Sequence, residues 1–184
     1  MLSAVIIFIS CALAAANPGL NKRSWNYMPV STKLTCRNES IANGEVRIGL
    51  LSRGNYAFSG FFDINIDVPK ETETEVNIYR STDGGTTYKI EPYSVPRQGF
   101  YEVMNSYYKD IIMSSAAKCS NFPQFNDTLE HLAAQKYHFE KCELTTDALP
   151  NYLPDSLYKI NVQTFGLVEL VLEVVVEITQ KDLY

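Results

Sequence analysis

The chain has 184 residues, a formal net charge of −5, and a composition that is 46% hydrophobic and 12% aromatic. This length suits one domain with a substantial apolar core. The mild acidity and the lack of any Lys/Arg run exclude the basic stripe that a nucleic-acid-binding protein needs.

The N-terminus, MLSAVIIFISCALAAA, is apolar and ends in the small residues Ala14, Ala15 and Ala16. A run this short does not span a bilayer as a helix, and its small-residue end is typical of a signal-peptidase site. We therefore predict a signal peptide at residues 1–16 and a single domain at residues 17–184. No later segment is apolar and long enough for a transmembrane helix, so the protein is expected to be secreted and extracellular.

Strand patterns dominate the first half of the chain. In FFDINIDV (residues 61–68), apolar residues at even positions alternate with polar ones, as in a strand with one buried face. The stretch EVNIYRSTDGGTTYKIEPY (residues 75–93) predicts a β-hairpin, since its Asp-Gly-Gly centre tolerates positive φ.

The periodicity changes at Phe100. From there to Ile112, apolar residues recur at the i, i+3, i+4 spacing that predicts an amphipathic α-helix. A shorter helix is predicted near Asp127, because Asp127 and Glu130 have the spacing of a capping box.

The last third of the chain returns to strand patterns. YHFEKCEL and LYKINVQTF predict strands, the prolines of LPNYLP predict a loop between them, and Gly166 is expected to turn the chain into a final hairpin strand. In LVELVLEVVVEI (residues 167–178), glutamates at every fourth position would also suit a helix. The many β-branched residues favour a strand instead, whose even positions from Val168 to Ile178 form one apolar face.

These elements together predict a mainly β fold. Several antiparallel strands with one buried face each, plus one amphipathic helix, indicate an antiparallel two-sheet β-sandwich with the helix at an edge or mouth. Such a sandwich either has a filled core or holds its sheets apart around a cavity, and filled cores are the norm.

Cysteines and sequons fit a secreted chain. Cys11 lies in the predicted signal peptide, so one disulfide and one leftover thiol are expected among the other three cysteines. We predict the pair Cys119–Cys142, because Cys36 is far away in sequence. The sequons at Asn38 and Asn126 predict N-glycosylation.

No motif indicates catalysis, a metal or a cofactor. The chain lacks a G-x-S-x-G elbow and a Gly-rich phosphate loop, and His131 and His138 lack the partner spacing of a zinc site. Nothing in the sequence marks Cys36 as an activated nucleophile. The acids that alternation assigns to outer faces are expected to be solvated: Asp63, Asp67, Glu169 and Glu173.

The order of several short features resembles a known family. An amphipathic GFYEVMNSYYKDII precedes AAKCSNFPQFND, a second cysteine follows in FEKCEL, and a double Leu-Pro precedes YKINVQTFG and VELVLEVVVEI. From about Cys36 to Ile178 the chain resembles the insect chemosensory CheA proteins, relatives of the ganglioside-activator branch of the MD-two-related lipid-recognition family. The resemblance implies a secreted β-sandwich that holds a lipid between its sheets without catalysis, and it supports the Cys119–Cys142 pairing. Relatives usually bridge the first-strand cysteine to one near the C-terminus, and Cys36 has no such partner here.

The resulting hypothesis is a non-enzymatic carrier of a lipid, cuticular hydrocarbon or pheromone-like ligand in chemosensory perception. The alternative is a lipid-presenting activator or co-receptor that acts on a chemoreceptor or another protein partner. The expected pocket wall comprises Phe62, Ile64, Ile66, Tyr107, Ile111, Ile160, Val162, Leu170, Leu172, Val174 and Val176.

Overall fold

The protein is built from two antiparallel sheets and one helix. The computed structural model describes residues 24–143, 146 and 149–181, so the predicted signal peptide lies outside the described residues. The strands are β1 (Trp25–Cys36), β2 (Ala42–Ser52), β3 (Asn55–Ile64), β4 (Glu73–Ser81), β5 (Lys89–Ile90), β6 (Val95–Gly99), β7 (Gln135–Cys142), β8 (Ser156–Phe165) and β9 (Leu170–Gln180). The helix, α1, runs without a break through Phe100–Val103, Met104–Ile112 and Met113–Ala116.

The sheets differ in width. The larger has the order β1-β9-β8-β4-β5, with β6 also paired to β4, and the smaller has the order β2-β3-β7. Every strand pairing is antiparallel, and the predicted two-sheet β-sandwich is confirmed. With strands about 4.8 Å apart, the larger sheet is about 19 Å wide and the smaller about 10 Å. The smaller sheet is therefore too narrow to cover the whole inner face of the larger one.

The smaller sheet meets the larger one along β1 and β9. The Thr32 hydroxyl of β1 donates a hydrogen bond to the Val46 carbonyl of β2 at 2.8 Å. Val174 of β9 packs against the cluster formed by Phe58, Phe139 and Cys142. The helix α1 contacts β4 of the larger sheet at its start and β7 of the smaller sheet at its end.

The hydrophobic core is divided into three clusters. One contains Trp25, Tyr158 and Ile178, and a second contains Phe58, Phe139 and Cys142. The third cluster lies at the opposite end of the sandwich from Trp25. It contains Ala42, Ile64, Val68, Tyr137 and Val168.

The predicted amphipathic helix is present, and its middle is π-helical. Met104–Ile112 is π-helical, and the Met113 N–H bonds to the Tyr108 carbonyl five residues back. Polar side chains support this wider register. The Asn105 amide donates to the Tyr101 carbonyl at 2.7 Å and the Ser106 hydroxyl to the Glu102 carbonyl at 2.6 Å. The Tyr101 and Glu102 carbonyls thus accept from side chains. In a regular α-helix each would accept from the backbone N–H four residues later.

Two local predictions are wrong. The strand predicted through residues 61–68 ends at Ile64, where the Asn65 N–H turns to the Ile41 carbonyl. The short helix predicted near Asp127 is also absent, since residues 117–134 form no helix. Its backbone is engaged elsewhere: Lys109 donates to the carbonyls of Asn126 and Asp127.

The final hairpin follows the prediction closely. Gly166 has φ of 119° between β8 and β9, a conformation that favours glycine. Tyr158, Ile160 and Val162 of β8 lie opposite Val176, Val174 and Leu172 of β9. Among the described residues, no helix is long and apolar enough to cross a membrane.

Candidate ligand-binding site

A row of aliphatic side chains crosses four strands on the inner face of the larger sheet. Leu34 lies opposite Leu172, Leu172 opposite Val162, and Val162 opposite Val76. Directly opposed residues in an antiparallel sheet point to the same face. We call this row, with its inward neighbours Ile160 and Leu170, the aliphatic floor.

The aliphatic floor is not packed like a core. All six of its side chains are half-buried, and none is part of the three core clusters. Outward-facing Asn161 and Val171 of the same strands are also half-buried. Since protein interiors are close-packed, a filled sandwich would bury the inner face of its central strands. The floor is therefore apolar surface that the protein itself covers only in part, with Leu34 next to Gly44 of β2 at its β1 edge.

The predicted wall residues separate into groups. Ile160, Val162, Leu170 and Leu172 lie on the floor. Val174 and Val176 share its face but pack into the clusters at either side.

The other predicted residues lie away from the floor. Ile64 and Ile66 belong to the filled cluster around Tyr137, and Phe62 lies on the inner face of the smaller sheet. Tyr107 and Ile111 are half-buried on the π-helical segment of α1 and are not on the face of the larger sheet. Leu34 and Val76 were missed by the prediction, because only the strand register places them on the floor.

Stacked aromatic rings form the inner face of the smaller sheet. The ring centroids of Phe62 and Phe139 are 5.8 Å apart, and those of Phe122 and Phe139 are 5.5 Å apart. Phe122 comes from the segment after α1 and adds a third ring to the two strands. Phe139 is buried in this group, whereas Phe62 and Phe122 are half-buried like the residues of the aliphatic floor.

The helix α1 is held by hydrogen bonds to the segments before and after it. The Tyr101 hydroxyl donates to the Val68 carbonyl at 2.7 Å and accepts from the Leu132 N–H at 3.1 Å. The Tyr108 hydroxyl donates to the Pro123 carbonyl at 2.9 Å, and burial raises the pKa of Tyr108 to about 12. Tyr108 therefore stays a neutral donor at physiological pH. These bonds hold the helix beside the sheets through polar contacts, although its apolar stripe is only half-buried.

Asn105 is the central fastening of this helix, because its amide both donates to the Leu129 carbonyl at 3.0 Å and accepts from the Leu129 N–H at 2.6 Å. Asn105→Ala is expected to lower the free energy of unfolding by about 1–2 kcal/mol, since two partners lose their hydrogen bonds. Amide hydrogen exchange should show faster exchange at Leu129. The control is Ser106→Ala, whose hydroxyl bonds only within the helix. Equal exchange at Leu129 in both variants would contradict the fastening.

The titratable groups are engaged in structural contacts. The His131 Nε2 lies 3.0 Å from the Asp67 carboxylate, which also accepts from the Ala134 N–H. These two bonds hold the pKa of Asp67 below its usual range, with the Ala134 N–H as the larger cause.

Burial, followed by the nearby Glu39, raises the pKa of the free Cys36 thiol, which disfavours the thiolate. Within the described part of the chain, no group of three His, Cys, Asp or Glu side chains is placed to hold a metal ion.

Two surface depressions lie outside the floor. One, of about 310 Å³, is bordered by Ser81, Asp155 and Glu177. The other, of about 550 Å³, lies on the outer face of the smaller sheet beside Arg47 and Lys136. Neither is lined by any residue of the predicted wall.

Comparison with known proteins gives one family match. Residues 74–160 match the family model described as "Protein of unknown function (DUF1091)". No curated protein is significantly similar to the chain. The match runs from β4 through α1 and β7 into β8, and so includes Val76, Ile160 and both cysteines of the disulfide. Less than half of the chain, in its central part, is thus similar to the DUF1091 family.

Proposed function

We propose that the protein is a non-enzymatic carrier that holds a hydrophobic chain against the aliphatic floor. The observation that carries this proposal is the row Leu34–Leu172–Val162–Val76, which faces inward and yet is only half-buried. Apolar surface on an inner sheet face is costly to leave in contact with water. A bound aliphatic chain removes that cost.

The chemistry of the floor favours an aliphatic ligand. Its six residues are Leu, Val or Ile, so they supply dispersion contacts and apolar area but no hydrogen bonds. Each methylene that leaves water contributes about 0.8 kcal/mol. Affinity should therefore rise with chain length until the floor is covered.

A polar pair lies on the same face of β4, beyond Ile78 and the core cluster of Trp25, Tyr158 and Ile178. The register of β4 puts Arg80 on the same face as Ile78, and Glu91 bonds to the Ile78 carbonyl through its backbone N–H. The Arg80 Nε lies 2.9 Å from the Glu91 carboxylate.

We also propose an extracellular role, in chemosensory perception. The Cys119–Cys142 disulfide supports an oxidising compartment, and the resemblance to CheA proteins supports the sensory role. The DUF1091 match covers the central region of the chain, and its description names no ligand.

Native mass spectrometry of the protein secreted by eukaryotic cells tests the carrier function. A co-purifying lipid of defined mass, released on unfolding and recovered by organic extraction, is the expected result. If no adduct is seen and the protein takes up no member of a panel of fatty acids, fatty alcohols and hydrocarbons, the carrier function is wrong.

A further inference from the structure

Two buried hydroxyls without a partner lie beside the aliphatic floor. The side chains of Thr72 and Thr74 are 1% and 3% exposed. Within the described part of the chain, neither hydroxyl oxygen has a hydrogen-bond partner, and both are closed off from bulk water. Buried hydroxyls are normally paired, because an unmade hydrogen bond costs stability. These two threonines therefore need an explanation beyond packing.

The strand register places Thr74 at one end of the floor. Thr74 precedes Val76 by two residues in β4, so the two side chains share a face and their Cα atoms are about 6.6 Å apart. Across the sheet, Thr74 lies opposite Thr164 of β8, whose hydroxyl accepts from the N–H of the floor residue Leu170. The Thr74 hydroxyl is thus the first polar group beyond Val76 on the inner face of β4.

The neighbouring threonines differ from Thr74. The Thr164 hydroxyl is fully engaged, since it donates to the Val168 carbonyl at 2.6 Å as well as accepting from Leu170. Thr72 is two residues further from the floor than Thr74, and its hydroxyl lies near the turn at Gly166. A ligand on the floor therefore meets the Thr74 hydroxyl before that of Thr72.

The surroundings of Thr74 indicate which group would pair with it. Within the sheet, Thr74 lies between Gln98 of β6 and Thr164 of β8, so a new partner must come from the interior between the sheets. Gln98, Thr164 and Val76 are all neutral. A buried charge without a partner of opposite sign is costly, so a neutral oxygen fits beside Thr74 better than a carboxylate does.

We propose that the Thr74 hydroxyl binds the polar end of the ligand, and that the ligand is a neutral oxygenated aliphatic molecule: a long-chain alcohol, aldehyde or ester. A hydroxyl both donates and accepts, so it pairs with each of these groups. The aliphatic chain then crosses the floor from Val76 to Leu34, over four strands and about 14 Å. Side chains above Thr74 must move aside when the ligand binds, because its oxygen is closed off from bulk water. The inference rests on the carrier function and names the ligand class.

Displacement of a fluorescent fatty alcohol from the secreted protein tests this site, with 1-dodecanol, n-dodecane and dodecanoate as competitors. Thr74→Val keeps the branched shape and removes the hydroxyl. We expect its dissociation constant for 1-dodecanol to rise about tenfold, since one interior hydrogen bond is lost, and that for n-dodecane to change less than about twofold. The wild type should bind dodecanoate at least about tenfold more weakly than 1-dodecanol.

The matched control is Ser156→Ala. The Ser156 Oγ is also buried and has no partner among the described residues, but it lies four residues before Ile160 and so about 13 Å from the floor. Without ligand, Ser156→Ala and Thr74→Val should both keep or raise the melting temperature, because each removes a hydroxyl that has no partner. Only Thr74→Val should weaken binding of 1-dodecanol, and Thr74→Ser, which keeps the hydroxyl, should bind it like the wild type.

The outcomes separate this site from the carrier function. If the wild type binds 1-dodecanol and n-dodecane but Thr74→Val changes neither dissociation constant, the polar site is wrong and the carrier function stands. If the wild type binds none of the competitors, both are wrong. Equal affinity for dodecanoate and 1-dodecanol would overturn the neutral ligand class. A melting temperature of Thr74→Val clearly below that of Ser156→Ala would show that the Thr74 hydroxyl stabilises the fold, and this would also overturn the proposal.

Discussion

Leu172→Arg is expected to abolish uptake of a long-chain lipid while the protein still folds. Leu172 lies at the centre of the aliphatic floor, between Leu34 of β1 and Val162 of β8. A guanidinium there would lose its hydration when a ligand covers it, and an unpaired buried charge costs several kcal/mol. We expect the dissociation constant to rise at least about a hundredfold. Displacement of a fluorescent fatty acid or fatty alcohol measures this change.

The control is Val171→Arg, one residue away on the outer face of the same strand. Val171 lies opposite Gln163 and Thr35. Like Leu172, it is half-buried. Both variants place an arginine in β9, so a general effect on folding would appear in both. Normal lipid uptake by Leu172→Arg would show that the aliphatic floor is not part of the binding site. Equal loss in the two variants, with equally lowered melting temperatures, would assign the effect to folding.

Local pattern predicted much of the larger sheet. The alternation in residues 157–165 and 167–178 places Ile160, Val162, Leu172 and Val174 on one face, as the register of β8 and β9 shows. This works because side-chain direction in a strand depends only on the parity of the residue. The floor itself did not follow from pattern, because Leu34 is brought next to Leu172 by a pairing between distant parts of the chain.

Burial was the second property that local pattern missed. Ile64 and Leu172 look alike in the sequence, as apolar residues in alternating stretches. Ile64 is 6% exposed within a filled cluster, whereas Leu172 is half-buried and outside every cluster. The difference depends on what the rest of the fold places against each side chain, which no residue by itself encodes. The π-helical register of α1 was also missed, because the apolar spacing of residues 100–112 fits an α-helix and the hydrogen bonds of Asn105 and Ser106 within the helix cannot be read from it.

The cysteine pairing was predicted correctly, and the structure supplies its physical basis. Cys119 and Cys142 are joined, with Cα atoms 5.4 Å apart. Phe139 and Cys142 are three positions apart in β7, so simple alternation would put them on opposite faces. A register shift between β3 and β7 brings both inside. Lys141, with φ of 52°, lies at this shift and donates its N–H to the Ser59 hydroxyl.

Removing this disulfide should lower stability more than any other cysteine change. The bond closes a sequence separation of 23 residues and ties the end of α1 to β7. Cys119→Ala/Cys142→Ala is expected to lower the free energy of unfolding by about 3 kcal/mol, because the unfolded chain regains the entropy of that loop. For a domain of this size the melting temperature should fall by about 6–12 °C. Thermal unfolding followed by circular dichroism measures the shift.

Cys36→Ala is the control that tests the pairing. Cys36 is half-buried at the end of β1 and free, and its raised pKa keeps it a neutral thiol that acts as a small apolar side chain. Its replacement should change the free energy of unfolding by less than about 1 kcal/mol. With the wild type, reductant should reproduce the drop in melting temperature, whereas in Cys119→Ala/Cys142→Ala it should have no effect. If Cys36→Ala lost as much stability as the double variant, and reductant no longer affected it, Cys36 would be a partner in the bond that stabilises the fold.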